Sequence, residues 1–289
     1  MSFDARTTLA SDEAADSRLE GVIPARRYAR TRPYQATAPW AAVRTRPDVH
    51  AEQVDQVLFG ESFDVLEARD GFLFGQASRD GYVGWVAQDK LSEAITLPTH
   101  WVSALRAYAF EAPSIKAAAQ GPLSLNALVT QVDETDGMIC ADRIGWIARA
   151  HLSAVGEMLS DPATVASAHL GAPYLWGGRD SAGLDCSGLV QQALLACGLA
   201  CPRDTDQQQA LGWPAPPEAL ARGDLVFWPG HVGMMLDGRR LIHANAFHMA
   251  VTIEPLAKVA ARIAKGGGGD PVAYRRLSGQ TPGRHQQRP

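Results

Sequence analysis

The chain has 289 residues, 46% of them hydrophobic and 20% charged, a globular balance that excludes an intrinsically disordered protein. Its formal net charge of −4 argues against a dedicated nucleic-acid binder, which carries a basic excess. The longest apolar stretch, Ala193 to Cys201, falls far short of the ~20 residues that a membrane span needs.

At roughly 100–200 residues per domain, this length suggests two domains or three small ones. Residues 1–20 carry Asp4, Arg6, Asp12, Glu13, Asp16, Arg18 and Glu20 and no apolar run. No export signal is read there, and a cytoplasmic protein is expected. Residues 1–38 read as a polar arm or leading strand, with Arg26, Arg27, Arg30 and Arg32 as a solvated basic cluster.

Residues 39–156 have the texture of short strands. The runs VLFG, FDVLEA and YVGWVA are separated by Gly-Glu and Asp-Gly turn signals. Gly84-Trp85-Val86 recurs as Gly145-Trp146-Ile147, and the pairs Gly60/Gly121 and Leu91/Leu152 repeat at the same spacing. Asp70-Gly71 has its counterpart in Asp136-Gly137. Two small all-β units are expected, over 39–95 and 96–156.

From residue 157 the period changes. Asp161-Pro162 supplies a helix N-cap and first helical residue, with Gly171 as the stop. A second helix starts near Cys186, with Leu189, Val190, Ala193, Leu194 and Cys197 on one stripe and Gly198 as its C-terminal signal. A short third helix runs from Asp204 to Leu211. Pro214, Pro216 and Pro217 then break the chain, and strand signals follow at Leu225–Trp228, His231–Leu236, Arg240–Ala244 and Ala250–Ile253. Helices followed by a sheet over 157–277 read as an α+β domain. Gly266–Gly269 is a loop, and 278–289 reads as a disordered tail.

Four cysteines are too few for a disulfide scaffold. Cys186 stands out because Gly183-Leu184-Asp185-Cys186-Ser187-Gly188 puts it at a helix start. There the partial positive charge of the helix favours a thiolate, and free N–H groups can hold an oxyanion. Cys140, Cys197 and Cys201 keep the ordinary reading of inert thiols. The loop Tyr174-Leu175-Trp176-Gly177-Gly178 can wall a cleft.

A thiolate nucleophile needs a base, and the base an orienting partner. The candidates are His231 and His243, on two strands joined by Asp237-Gly238-Arg239. If all three of those residues form the loop, Leu236 pairs with Arg240 and the two histidines are diagonal neighbours on one face. A two-residue turn without a bulge puts them on opposite faces. A zinc site built on Cys186, His231 and His243 lacks a close pair of ligands, and no metal or other cofactor is expected.

These segments, with Pro202-Arg203-Asp204-Thr205-Asp206-Gln207 and ARGDLVFW from Ala221 to Trp228, resemble the NlpC family of papain-like murein peptidases. The two β units resemble tandem bacterial SH3 (SH3b) domains, the second one degenerate. The resemblance implies two small all-β SH3b-like barrels followed by an α+β papain-like NlpC catalytic domain. The activity it implies is cleavage of bacterial cell-wall stem peptides, typically after γ-D-Glu.

Cys186 is then the nucleophile, His231 the general base and His243 the orienting third member. The oxyanion faces the Cys186 N–H and the Tyr174 hydroxyl. Ser187 and Thr205 are donors for the α-carboxylate of D-Glu, with Trp176, Asp185, Arg203 and Asp204 shaping the pocket. Asp204 also reads as a helix cap. In relatives with SH3b units, the first unit offers an acid and a tyrosine to a free N-terminal L-Ala, and Glu61 and Tyr82 are the equivalents here. The expected partner is a murein stem peptide, L-Ala-γ-D-Glu-diamino acid, with neither nucleic acid nor membrane involved. Two other readings stay open: a wall hydrolase or phage-type lysin whose SH3b units bind the wall, and a non-enzymatic wall-peptide-binding module.

Overall fold

The structure is a computed structural model that describes residues 3–135 and 137–277, so Asp136 of the repeat and the expected tail lie outside it. The N-terminal arm is folded onto the first β unit. Leu9 and Ala14 are buried against Leu66, Phe72, Phe74, Val83 and Trp85. A short parallel pairing of β1 (Ala15–Asp16) with β2 (Tyr28–Ala29) closes the arm on itself. Two buried apolar residues, with Ala29 packed partly against the same cluster, anchor it among many charges.

The first sheet holds β3 (Arg32–Ala36), β4 (Trp40–Arg44), β5 (Gln53–Leu58), β6 (Ser62–Arg69), β7 (Phe72–Ala77), β8 (Val83–Ala87) and β9 (Leu91–Ser92). Its order is β5-β4-β8-β7-β6-β3-β9. The strand β3, assigned to the arm from sequence, therefore sits inside this sheet between β6 and β9. In β6, Phe63 and Val65 point into one core. A bulge after Val65 re-aims the strand, so that Leu66 faces the other side, against Leu9.

The second β unit forms two sheets. The strands are β10 (His100–Val102), β11 (Arg106–Phe110), β12 (Ala119–Ser124), β13 (Leu128–Val129), β14 (Gln131–Thr135), β15 (Met138–Ala141), β16 (Gly145–Ala148) and β17 (Leu152–Ala154). They pair as β13-β10-β17 and β12-β11-β16-β15-β14 around Val102, Leu123, Ile139 and Ile147. Among the described residues neither unit closes into a barrel through strand pairing. The expected pair of barrels is instead one open sheet of seven strands and two smaller sheets.

The C-terminal unit comprises α1 (Pro162–Ala168), the short pair β18 (Arg179–Asp180) and β19 (Gly183–Leu184), α2 (Cys186–Ala196), α3 (Thr205–Gln208), β20 (Trp213–Pro214), β21 (Leu225–Trp228), β22 (His231–Met235), β23 (Arg240–Asn245), β24 (Ala250–Pro255), α4 (Leu256–Lys265) and β25 (Ala273–Arg276). Asp161 caps α1 by accepting from the Ala163 N–H. The third helix is a single turn, closed by a reciprocal capping box between Asp204 and Gln207. Six strands form one sheet in the order β20-β25-β21-β22-β23-β24. Period-2 alternation splits its side chains: Leu225, Phe227, Val232, Met234 and Ile242 face α1 and α2, whereas Val226, Trp228, Met235 and Leu241 face α4. Sequence analysis missed α4, although Leu256, Val259, Ala260 and Ile263 recur at helical spacing on the face that meets the sheet.

The units are locked together by buried polar groups. Helix α2 is buried almost all round, including Gln191 and Gln192, which the expected stripe leaves on its polar side. Their partners come from the β units: Gln191 donates to Asp80 at 2.8 Å, and Asn126 donates to the Gln192 carbonyl at 3.0 Å. Arg179 is fully buried and pairs with Glu61, while its backbone N–H donates to Gln56 at 2.7 Å. Arg203, also buried, meets Asp55 at 2.7 Å. Gly177 has a φ of +68°, and a Cβ there would stand 2.6 Å from the Gln53 carbonyl oxygen, so the aromatic loop rests directly on β5. Among the described residues no helix is long and apolar enough to cross a membrane.

Glu61→Gln leaves the Arg179 guanidinium short of its closest carboxylate in a water-free site. Urea denaturation is expected to show a loss of stability on the order of 3 kcal/mol, the scale of a broken buried pair. An unchanged midpoint would show that Arg179 finds full compensation elsewhere.

Candidate active site

The first turn of α2 sets the site. Its N-cap is Asp185, whose Oδ1 accepts from the Gly188 N–H at 2.7 Å, while Oδ2 accepts from the Gly177 N–H at 2.9 Å. One carboxylate thus ties the start of α2 to the aromatic loop. Gly188 permits this approach, since a Cβ there would stand 2.2 Å from the Gly178 carbonyl oxygen. Cys186 follows as the first helical residue, 6% exposed. Its Sγ lies 3.8 Å from the Thr205 hydroxyl and 4.0 Å from the Gly230 carbonyl, with the Val232 N–H also directed at it. The sulfur therefore touches the backbone on both sides of His231.

The β22–β23 hairpin adopts the odd register. Leu236 donates to the Arg240 carbonyl at 2.8 Å, Met234 pairs with Ile242, and Asp237 accepts from the Arg239 and Arg240 N–H groups across the three-residue turn. The two histidines share a face, with His231 Nε2 2.8 Å from His243 Nδ1. Behind them stands a residue that sequence analysis missed. Glu254 on β24 lies 3.1 Å from His243 Nε2 and accepts two bonds from Arg262 of α4, at 2.7 and 2.6 Å. Its sequence signal was slight: a lone acid in the strand after the second histidine.

The electrostatics run against the expectation of a lowered thiol pKa. Burial, reinforced by the Asp185 carboxylate, pushes the Cys186 thiol up to about 11. The helix terminus does not offset the loss of water around the sulfur. Burial also holds His231 down, at about 3, with His243 and Arg262 acting in the same direction. Glu254 is held at about 2, chiefly by Arg262. At neutral pH Cys186 is a thiol and His231 a neutral imidazole.

A cleft of about 390 Å³ opens over the sulfur. Its lining combines Cys186, Ser187, Thr205 and Gly230 with Trp176, Asp185 and Val54 and with Tyr82, Asp204, Asp206 and Arg6. Trp176 is 59% exposed and donates to Glu52 at 2.9 Å. The Tyr82 hydroxyl donates to Asp204 at 3.1 Å. Arg6, from the arm, pairs with Asp4, Asp204 and Asp206 at 2.7 to 2.8 Å. Apart from Asp4, nothing local in the sequence marks Arg6, because its partners Asp204 and Asp206 lie about 200 positions away.

Three expected site residues are placed differently. Glu61 is 1% exposed, is not among the groups lining the cleft, and is engaged by Arg179, Arg79 and the Leu58 N–H, so it is a buried structural acid and not a group for a substrate amine. Arg203 lies beneath the cleft, donating to Asp185, Ser187 and Asp55, which leaves it a support for the floor. Tyr174 is half-buried and lines a separate cavity of about 220 Å³. Burial raises its phenol, and the nearby sulfur adds to the effect, so it stays protonated and able to donate.

Comparison with known proteins bears on the domains that carry the site. Residues 171–262 match the NlpC/P60 family, and residues 43–91 match the bacterial dipeptidyl-peptidase SH3 domain. Dipeptidyl-peptidase 6 of Lysinibacillus sphaericus is 23% identical over 245 residues, covering 76% of this chain and 90% of that protein. The γ-D-glutamyl-L-lysine dipeptidyl-peptidase of Bacillus subtilis is 33% identical over 97 residues, 31% of this chain and 33% of its own length. An NlpC/P60 family protein from Bacillus cereus superposes with a TM-score of 0.72 at 19% identity, over 85% of this chain and 99% of that one, a likeness of fold. The chain carries an NlpC/P60 domain joined to a bacterial SH3 domain.

Proposed function

We propose that the protein is a cysteine peptidase that hydrolyses the γ-D-glutamyl–diamino acid bond of cell-wall stem peptides bearing a free N-terminal L-Ala. The observation that carries this reading is the hydrogen-bonded pair His231–His243, with the backbone on either side of His231 against the Cys186 sulfur that lines the cleft. As substrate binds, the thiol proton passes to His231. The sulfur attacks the γ-carbonyl, forming a C–S bond, and the negative charge on oxygen faces the Cys186 N–H. The C–N bond breaks, and the imidazolium gives its proton to the leaving amine. Water then gives a proton to His231 and attacks the thioester, and the thiolate leaves and regains that proton.

Recognition of the N-terminus falls to Tyr82 and Asp204 in place of Glu61. Three carboxylates, Asp4, Asp204 and Asp206, meet a single guanidinium there. The excess of negative charge suits an ammonium group. The SH3 domain supplies Tyr82 and Val54 to the cleft, which makes it part of the substrate site. Ser187, Thr205 and Trp176 remain the candidates for contacts to D-Glu, over a floor stiffened by Asp185 and Arg203. The second β unit packs on α2 as a degenerate SH3-like support.

The test compares L-Ala-γ-D-Glu-diamino acid with its N-acetylated form. Acetylation is expected to lower kcat/KM about tenfold to a hundredfold, matching the ~1.5–3 kcal/mol of a charge-assisted hydrogen bond. Cys186→Ala should abolish turnover of both. Equal rates on the free and blocked peptides would remove the amine from the reading, and unchanged turnover in Cys186→Ala would remove the cysteine.

The thiol near 11 also fixes a pH dependence. The thiolate fraction rises as pH climbs toward that value, so alkylation of Cys186 by iodoacetamide should accelerate about tenfold per pH unit between pH 7 and 10. Mass spectrometry of the Cys186 peptide follows the rate. A plateau reached by pH 6 would instead mean a resting thiolate–imidazolium pair.

A further inference from the structure

Glu254 faces His243 on β23, His248 in the β23–β24 loop and Arg262 on α4. It is 7% exposed, and His243 is 1% exposed. Both carboxylate oxygens accept from Arg262, and the one nearer His243 is also 3.3 Å from His248 Nε2. An ionised carboxylate only accepts. His243 Nε2 must therefore carry the hydrogen in the 3.1 Å contact. Burial keeps the ring neutral, so its Nδ1 holds a lone pair. The 2.8 Å contact then requires the hydrogen of His231 to sit on Nε2. What remains on His231 is the lone pair of Nδ1, the ring nitrogen nearest its own backbone. That is the backbone the Cys186 sulfur lies against.

We propose that Glu254 is a positioning residue that fixes the tautomers of both histidines, so that His231 presents a basic Nδ1 to Cys186. This rests on the peptidase reading above. It adds that the relay has four members and that its polarity is set at the far end, about three groups away from the sulfur. Arg262 acts one step further back, because its two donors hold the carboxylate in place and exclude a protonated acid.

The experiment labels the histidines with 15N and records two-bond proton–nitrogen spectra at neutral pH. In the wild type, His231 and His243 should both be protonated at Nε2 only. In Glu254→Gln, the amide oxygen turns to Arg262 and the amide NH2 meets His243 Nε2, which must then accept. Both rings should switch to Nδ1–H. The expected kcat falls about 10²- to 10⁴-fold, the scale of a wrong tautomer in such a relay, with KM for the free tripeptide within about twofold. In Arg262→Leu the carboxylate remains, and both rings should keep the wild-type tautomers. A wild-type His231 protonated at Nδ1 would overturn the proposal without any variant. So would a folded Glu254→Gln protein with wild-type tautomers or wild-type kcat. The spectra need no substrate, so failure of the peptidase reading would appear separately, as a wild-type protein that cleaves no wall peptide.

Discussion

Two arginines closed off from water hold the molecule in one piece. Arg179 and Arg203 both sit in the C-terminal unit, and both reach carboxylates of the first β unit, Glu61 and Asp80 in its turns for one and Asp55 on β5 for the other. A buried charge is tolerable only when its partners are complete and well placed. The relative position of the two units is therefore not free to drift. Arg203 carries the constraint into the site, because it also grips Asp185, the residue that caps α2 and fixes where Cys186 begins. Any slip between the units would reach the nucleophile within two residues.

Burial has a second effect, on proton positions. A helix start favours a thiolate, but that benefit is small beside the loss of hydration around a nearly enclosed sulfur with a carboxylate next to it. The same dryness keeps His231 neutral. Cys186 and His231 therefore both rest uncharged at neutral pH. An uncharged resting state makes hydrogen placement decisive, since a neutral imidazole has one donor and one acceptor and they must face the right way.

Much of this was legible in the sequence. Asp161-Pro162, Gly198 and the three-residue Asp237–Arg239 turn each act through neighbours within a few positions, and local chemistry fixed their conformation. The diagonal placement of His231 and His243 followed from counting along a hairpin. What escaped was long-range charge pairing. The acid in the LFGES segment gave no local sign of being committed to Arg179, whose side chain meets it from 118 positions away. Glu254 and Arg262 were missed because an acid at a strand end and a base in the following helix are ordinary surface features until packing buries them together. The arm read as solvated because charged residues are scattered all along it. A few apolar side chains against Trp85 and Phe74 decided otherwise.

The contact between Arg6 and the Asp204–Asp206 pair has a consequence in time. During synthesis Arg6 emerges about 200 residues before Asp204 and Asp206. Contacts of such separation form late, because a very long loop must close before they are rewarded. The first sheet, with Leu9 already seated on it, can be complete while the peptidase residues are still unmade. The cleft then takes shape as the last part of the chain docks onto a finished wall. A cleft built in this order is not assembled until Asp204 and Asp206 have left the ribosome and reached Arg6.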